Sequence, residues 1–292
     1  MEIVISGSIV LYNTGERVRN SIESFLSTSL PVKLYLIDNS PTEQVKEQLK
    51  DLLEDKRIEY ISNKQNIGFG AAHNIALRKA IKSAPYHVVL NPDVYFEADV
   101  LNKLFSFMQD NQDVGLVIPK VVYPNGELQY LSKLLPTPFD LIFRRFLPSS
   151  LIKKRLFYYE MQFSGYNQKV NVPYISGCFM FIRTSLLPTV GLFDERYFLY
   201  LEDTDLSRRF FLAGKNIFYP GAQIVHYHER GSYKDLKLLI RHIKSAIKYF
   251  NKWGWWIDKE RKELNNKAIE AIQTTELNQP SLKTKTPKHT LV

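Results

Sequence analysis

From residue 2 to about 118 the chain alternates two hydrophobic periods, and that alternation restricts the fold more than any other feature. Residues 3–11 form a near-continuous apolar run, the pattern of a strand buried on both faces. Val18, Ile22, Phe25 and Leu26 follow at the three-to-four spacing of a helix. Residues 33–37 read as a second strand, closed by the turn signal Asp38-Asn39-Ser40-Pro41. Val45, Leu49, Leu52 and Leu53 mark a second helix, and residues 58–61 a third strand. A loop at 66–70 opens a helix at 71–81. A fourth strand at 87–90 ends in Asn91-Pro92-Asp93. A helix at 98–108 and a strand at 114–118 complete the series. Such regular alternation predicts an α/β fold with a mostly parallel central sheet flanked by helices. In these sheets ligands sit beyond the carboxyl ends of the strands. Asp38, Asn66 and Asp93 all fall at such ends.

The pattern then breaks. Residues 123–172 lose the alternation and carry Pro124-Asn125-Gly126, Pro136, Pro138 and Pro148. Here Arg144, Arg145, Lys153, Lys154 and Arg155 are interleaved with Phe139, Phe143, Phe146, Phe157 and Tyr158. This stretch reads as an excursion from the sheet, either a solvated loop or a membrane-interface segment. An apolar strand returns at 174–183, with Gly177 marking a bulge or a close backbone approach. Short strands are expected at 216–219 and 223–228. A C-terminal helical extension follows from about 234 to 252. Leu236, Leu239, Ile240, Ile243, Ile247 and Phe250 form its apolar stripe; Lys237, Arg241, Lys244 and Lys248 form a basic one. With Trp253, Trp255 and Trp256 after it, this helix suits an anionic membrane surface, and an ordinary solvated face is the alternative. Beyond Lys267 the chain turns polar and is expected to be disordered. The organisation expected is a main domain over 1–230, in halves 1–122 and 123–230, then the helix and tryptophans over 231–266 and a tail over 267–292.

The totals narrow the partners. The net charge is +9, which calls for something anionic: a phosphorylated ligand, a membrane surface or a nucleic acid. The surplus lies along helix stripes and in no recognised nucleic-acid motif, so nucleic acid is set aside. Cys178 is the single cysteine, which excludes an intrachain disulfide. The first residues read as a strand without the basic start of a secretory leader. No apolar run approaches the length of a membrane span.

Chemistry concentrates at residues 192–209. Tyr197, Phe198 and Tyr200 lead into Glu202, Asp203 and Asp205. A helix cap accounts for one carboxylate, Asp203 or Asp205. Three together behind an apolar run are costly unless used, so one is read as a catalytic base. Asp38 suits either the N–H of a nucleotide base or an Asx turn over Asn39 and Ser40. The glycines after Asn66 let backbone N–H groups approach a phosphate or sugar, or simply open a tightly packed helix. Asp93, on a stiff strand end, is placed to hold Mg²⁺ or Mn²⁺ against a diphosphate. His226 or His228 could add a nitrogen ligand; a core histidine is the plainer reading.

Together these pieces are more specific than any one. On the Asp38-Asn39-Ser40 strand end, NIGFGAAHN, LNPDV, ISGCFMFIR, GLFDERYFLYLEDTDLSRR and VHYH, the chain resembles family 2 glycosyltransferases of the GT-A, Rossmann-like fold. Within the family it is similar to bacterial rhamnosyltransferases of O-antigen and other surface polysaccharides. The resemblance covers roughly residues 2–256 and is most distinctive over 177–214. It implies that Asp38 meets the nucleotide base, and that Asn39, Asn66, Gly70 and Asn74 lie along the donor. It places Asn91 and Asp93 where the family carries its metal-binding DxD. Asn91 replaces the first acid there, which weakens the expected metal dependence. It implies Asp203 as general base with Glu202 beside it, and His226 near the metal and diphosphate. The implied reaction is inverting transfer of L-rhamnose from dTDP-rhamnose to a glycan on undecaprenyl diphosphate, at the cytoplasmic face of the bacterial inner membrane. The alternatives are another UDP- or dTDP-hexose donor, a sugar nucleotidyltransferase, or a non-catalytic nucleotide- or membrane-binding protein. A nucleotidyltransferase wants a glycine-rich loop with Arg and Lys after the first strand, which Tyr12-Asn13-Thr14-Gly15-Glu16-Arg17 lacks. A non-catalytic relative would be expected to lose Asp93, Glu202 and Asp203, all of which are present.

Overall fold

The computed structural model describes residues 2–141, 147–227 and 235–277. Strands β1 (Ile5–Leu11), β2 (Val32–Asp38), β3 (Ile58–Ser62) and β4 (Tyr86–Leu90) lie side by side in the order β3-β2-β1-β4, all parallel. Helices α1 (Arg17–Leu26), α2 (Gln44–Gln48) and α3 (Phe69–Ser83) make the crossovers. β1, β2 and β4 are buried along nearly their whole lengths, which is why they are written as mostly apolar runs. β5 (Val94–Tyr95), α4 (Val100–Asp110) and β6 (Val114–Val122) follow.

The expected α/β sheet is present, but its second half is mixed. After β6 the chain leaves the sheet through β7 (Ser132–Lys133), α5 (Pro138–Leu141), α6 (Ser149–Tyr159), β8 (Val170–Asn171) and β9 (Tyr174–Ile175). β10 (Phe179–Arg183) then inserts antiparallel between β4 and β6. Its buried Arg183 is satisfied by the carbonyls of Met108 and Asn111 at the end of α4 and of Val114 at the start of β6. After α7 (Leu187–Val190) and α8 (Glu202–Ala213) comes β11 (Lys215–His226), parallel to β6. β11 is one strand where the sequence suggests two, with a register shift between Tyr219 and Gln223.

The excursion is a folded subassembly. Leu134 N donates to Tyr159 O at 3.0 Å, and Arg155 holds Asp140 at 2.6 Å. Asn265 brackets both backbone groups of Leu135. Phe143, Arg144, Arg145 and Phe146 fall outside the described residues, as does His228.

The C-terminal extension is two helices, α9 (Leu236–Trp253) and α10 (Lys259–Leu277). α9 packs through Ala246, Tyr249 and Phe250 onto Leu141, Tyr197 and Leu201, forming a second small core. The apolar stripe is therefore split: Phe250 turns inward, whereas Leu236, Ile240 and Ile247 stay exposed beside Lys237 and Lys244. The tryptophans also differ. Trp253 and Trp255 pack against the small core, and Trp256 is 71% exposed. α10 corrects the expected disorder after Lys267, because Leu264, Ala268 and Ile272 recur every fourth residue and bury against the main core. Residues 278–292 lie outside the described residues. Among the described residues no helix is long and apolar enough to cross a membrane.

Candidate active site

The carboxyl ends of β1, β2 and β4 meet the heads of α3 and α8. Asp38 closes β2 with no exposed surface. Its Oδ1 accepts from Ser40 N at 2.8 Å, the Asx turn, and its Oδ2 accepts from the Tyr60 hydroxyl. Both oxygens accept a hydrogen bond, which fixes the carboxylate at this rim. Asn39 accepts from Asn63 Nδ2 at 2.8 Å and donates to Gly68 O at 3.1 Å. Asn66 Oδ1 accepts from Gly68 N at 3.0 Å. These bonds make a floor that joins the ends of β2 and β3 to the start of α3.

The glycines serve close approach. Gly68 has φ +94°, and a Cβ there would lie 2.5 Å from Phe198 O. A Cβ on Gly70 would lie 2.9 Å from Phe193 Cβ and 3.5 Å from Glu202 Cβ. The head of α3 is thus pressed against the acidic loop. Asn74 completes the clamp: it donates to Phe193 O and Glu195 Oε1, both at 2.9 Å, and accepts from Phe193 N at 3.0 Å. Gly70 and Asn74 thus fasten loop 193–202 and are buried by that packing.

Asn91 and Asp93 line a cavity of about 610 Å³ with Val10, Thr14, Arg17 and Phe69. Asn91 N donates to Cys178 O at 2.9 Å, tying β4's end to the turn before β10. Asp93 Oδ1 is buried without a hydrogen-bond partner and faces His226 Nε2 at 3.4 Å. Gln129 sets the ring: its Nε2 donates to His226 O at 2.7 Å, so its Oε1, 3.0 Å from Nδ1, must accept. That leaves Nε2 as the ring nitrogen turned toward the Asp93 carboxylate, two atoms that a cation could take as ligands. Asp93 and His226 could hold a divalent metal. Among the described residues no set of three His, Cys, Asp or Glu side chains forms a metal site, so ligand or water oxygens would have to complete the shell.

The acids are divided sharply. Tyr200 and Leu201 enter α8 with φ of 72° and 69°, a left-handed conformation that costs energy without glycine. Burial of Leu201 in the small core and the Tyr200–His242 ring contact hold it. Asp203 is half-buried. Its Oδ2 accepts from Gly177 N at 2.9 Å and the Tyr174 hydroxyl at 3.1 Å, and its Oδ1 from Thr204 N at 2.7 Å. Glu202 is 4% exposed, and its Oε2 has no partner. Burial raises both pKa values; the charge of Asp203 raises Glu202 further, whereas the donors to Asp203 oppose its rise. Burial and the neighbouring charge thus favour the proton on Glu202, and the donors favour the charge on Asp203. Asp205 is structural: Lys252 at 2.6 Å and Trp253 Nε1 at 2.8 Å bolt α8 to α9 through it, and Arg209, one turn along α8, holds it at 3.0 Å.

The Ser176–Cys178 turn joins the two centres. Its Gly177 N–H holds Asp203, and its Cys178 carbonyl holds Asn91. A profile of the family "Glycosyl transferase family 2" matches residues 8–191, more than half of the chain. The chain belongs to glycosyltransferase family 2.

Similar family 2 proteins carry related names. The chain is 24% identical over 265 residues to the N-acetylglucosaminyl-diphospho-decaprenol L-rhamnosyltransferase of Mycobacterium tuberculosis, covering 85% of this chain and 84% of that protein. It is 29% identical over 193 residues to rhamnosyltransferase WbbL of Escherichia coli K12, covering 62% of this chain and 69% of that one. Among solved structures it superposes on GalNAc-T7 with UDP, GalNAc and Mn²⁺ with a TM-score of 0.61 at 19% identity, over 79% of this chain and 44% of that longer one. S. aureus TarS residues 1–349 gives 0.57 at 15% identity, over 97% of this chain and 76% of that one. These likenesses establish the GT-A fold, and the family makes the chain a sugar-transferring enzyme.

For this family 2 enzyme, sequence reasoning left out Tyr174, Gln129 and Tyr60, which hold Asp203, His226 and Asp38. Only Tyr174 left a trace, as the polar-tipped residue three before Gly177 in an apolar run.

Proposed function

We propose that this family 2 enzyme transfers L-rhamnose from dTDP-rhamnose to a glycan on a polyprenyl diphosphate, with inversion. The observation that carries the reading is the unequal acid pair beside the Gly177 turn: Asp203 accepts four hydrogen bonds, from Gly177, Tyr174 and Thr204, whereas Glu202 keeps a buried Oε2 without a partner. Asp203 takes the proton of the acceptor hydroxyl as that oxygen bonds to the anomeric carbon. The bond from that carbon to the diphosphate breaks, and its electron pair leaves with the nucleotide. A positioned base of this kind contributes roughly 10²–10⁴-fold. The nucleoside end falls to the β2 rim, where Asn39, Asn63 and Asn66 are linked. Asn91 and Asp93 face the diphosphate. A Mg²⁺ or Mn²⁺ on Asp93 and His226 would offset the charge building on the leaving group.

The names of the mycobacterial and Escherichia coli relatives support the sugar, and the former's decaprenyl diphosphate supports the acceptor. The exposed Leu236, Ile240 and Ile247 among Lys237 and Lys244, with Trp256, support peripheral attachment to the anionic cytoplasmic face of a bacterial inner membrane. Surface-polysaccharide assembly, such as O-antigen synthesis, is the process this combination serves. A donor panel tests the proposal. With Mn²⁺ and a polyprenyl-diphosphate N-acetylglucosamine acceptor, dTDP-rhamnose should be consumed faster than UDP-glucose or UDP-galactose, giving a product of inverted configuration. Preference for a UDP-hexose, or retention at the anomeric carbon, would refute it.

A further inference from the structure

The acid pair is held unequally, and one holder comes from outside its helix. Tyr174 lies on β9, an element clipped on two sides. β9 pairs with β7 through Tyr174–Lys133 and Ile175–Ser132. Ile175 also exchanges hydrogen bonds with Ser207, one turn along α8 from Asp203, both at 3.1 Å. The phenol is therefore fixed relative to the very helix that carries the acids. A buried tyrosine hydroxyl needs some partner. Here the partner is Asp203 Oδ2, the oxygen that also receives Gly177 N–H.

We propose that Tyr174 is the positioning residue of Asp203. Its phenol O–H orients the carboxylate and keeps the negative charge on Asp203, leaving the proton on Glu202. The inference rests on reading Asp203 as the base. Other titratable groups face the same carboxylate. Glu202 comes from its own helix, and Cys178 from the turn into β10, with its thiol pushed up to about 12 by burial. Tyr159 stands behind Tyr174. Burial and the charge of Asp203 push the Tyr174 phenol well above its ordinary value, so it stays a donor and cannot itself be the base. Glu202 is then the one competitor for the negative charge among these groups.

A hydrogen bond to the ionised form favours that form, so its loss must raise the pH at which Asp203 ionises. Tyr174→Phe removes the hydroxyl and keeps the ring. The carboxylate stretch of Asp203 is followed by infrared difference titration of the full-length protein without substrate, and assigned by its loss in Asp203→Asn. Its midpoint should move up by roughly one pH unit in Tyr174→Phe. In hydrolysis of dTDP-rhamnose with Mn²⁺, the acid limb of kcat/KM should shift the same way. kcat should fall about tenfold below that limb, recover above it, and leave KM little changed. An unmoved infrared midpoint overturns the proposal, because a merely structural tyrosine would alter folding without moving the titration. A wild-type rate in Asp203→Asn would instead sink the base assignment, whatever Tyr174→Phe does to the titration.

Discussion

Two regions bring buried carboxylates to the ends of secondary elements, and they treat them in opposite ways. At the end of β2, Asp38 is met by Ser40 N and the Tyr60 hydroxyl, and its neighbours Asn39, Asn63 and Asn66 are bonded to one another. At the head of α8, Glu202 Oε2 meets nothing, and across the Gly177 turn Asp93 Oδ1 is likewise left without a hydrogen-bond donor. A carboxylate that is saturated and also sealed from solvent, as Asp38 is, has its charge compensated and its geometry fixed, whereas Asp203 is as fully bonded but only half-buried. An unsatisfied one stores a cost that a proton or a ligand relieves. α8 contains both kinds, since Asp205, two residues from Asp203, is fully paired.

The contrast can be broken most forcefully at Asp205. Asp205→Ala takes from Lys252 one of its two carboxylates and from Trp253 Nε1 its acceptor, which loosens α9. It should destabilise the fold by about 3–5 kcal/mol, seen as a lowered midpoint in urea, while residual folded enzyme keeps turning over. If stability is unchanged but turnover collapses, Asp205 belongs with the reactive acids and the division fails.

Glu202→Gln should do the reverse. The folded pKa of Glu202 is raised from 4.5 to about 8, so the native state holds a proton that the unfolded chain gives up across that window. Stability is then lost as pH rises through it. Glutamine copies the neutral acid, so the variant should gain on the order of 1–2 kcal/mol at neutral pH and nothing near pH 4. Thermal melts at the two pH values check this, and a loss at neutral pH would mean that Glu202 is paired and ionised.

The smallest effect is expected at the surface. Lys237→Gln on the exposed face of α9 should weaken binding to phosphatidylglycerol vesicles at low salt by about 1 kcal/mol, roughly fivefold, without altering the melt. Undiminished flotation would remove α9 from the membrane account. Arg241 is a poorer probe, because its guanidinium stacks 4.6 Å over Phe198 in the acidic loop.

The same contrast marks what the sequence could reveal. Strands buried on both faces write themselves as apolar runs, so the parallel half was legible to within a few residues. The direction of β10 was not, since an apolar run carries no sign of which way its neighbours point. α10 was hidden because its buried row is only Leu264, Ala268 and Ile272 in polar surroundings. In the site, the three acids were visible as a cluster because they are adjacent in sequence. Their division was not visible, because it is made by partners far away: Tyr174 is 29 positions from Asp203, and Gln129 is 97 from His226. The loop glycines were noticed for close approach, and the chain's own loop at Phe193 and Phe198 approaches them.

The central claim is that Asp203, and not its neighbours, removes the acceptor's proton. It is tested most directly by Asp203→Asn, compared with wild type in single-turnover transfer at saturating dTDP-rhamnose and acceptor. The amide keeps an oxygen for Gly177 N–H and Tyr174, so the variant should fold and bind donor as before, yet transfer at least ~10²-fold more slowly at every pH. Transfer within a few-fold of wild type would contradict the account.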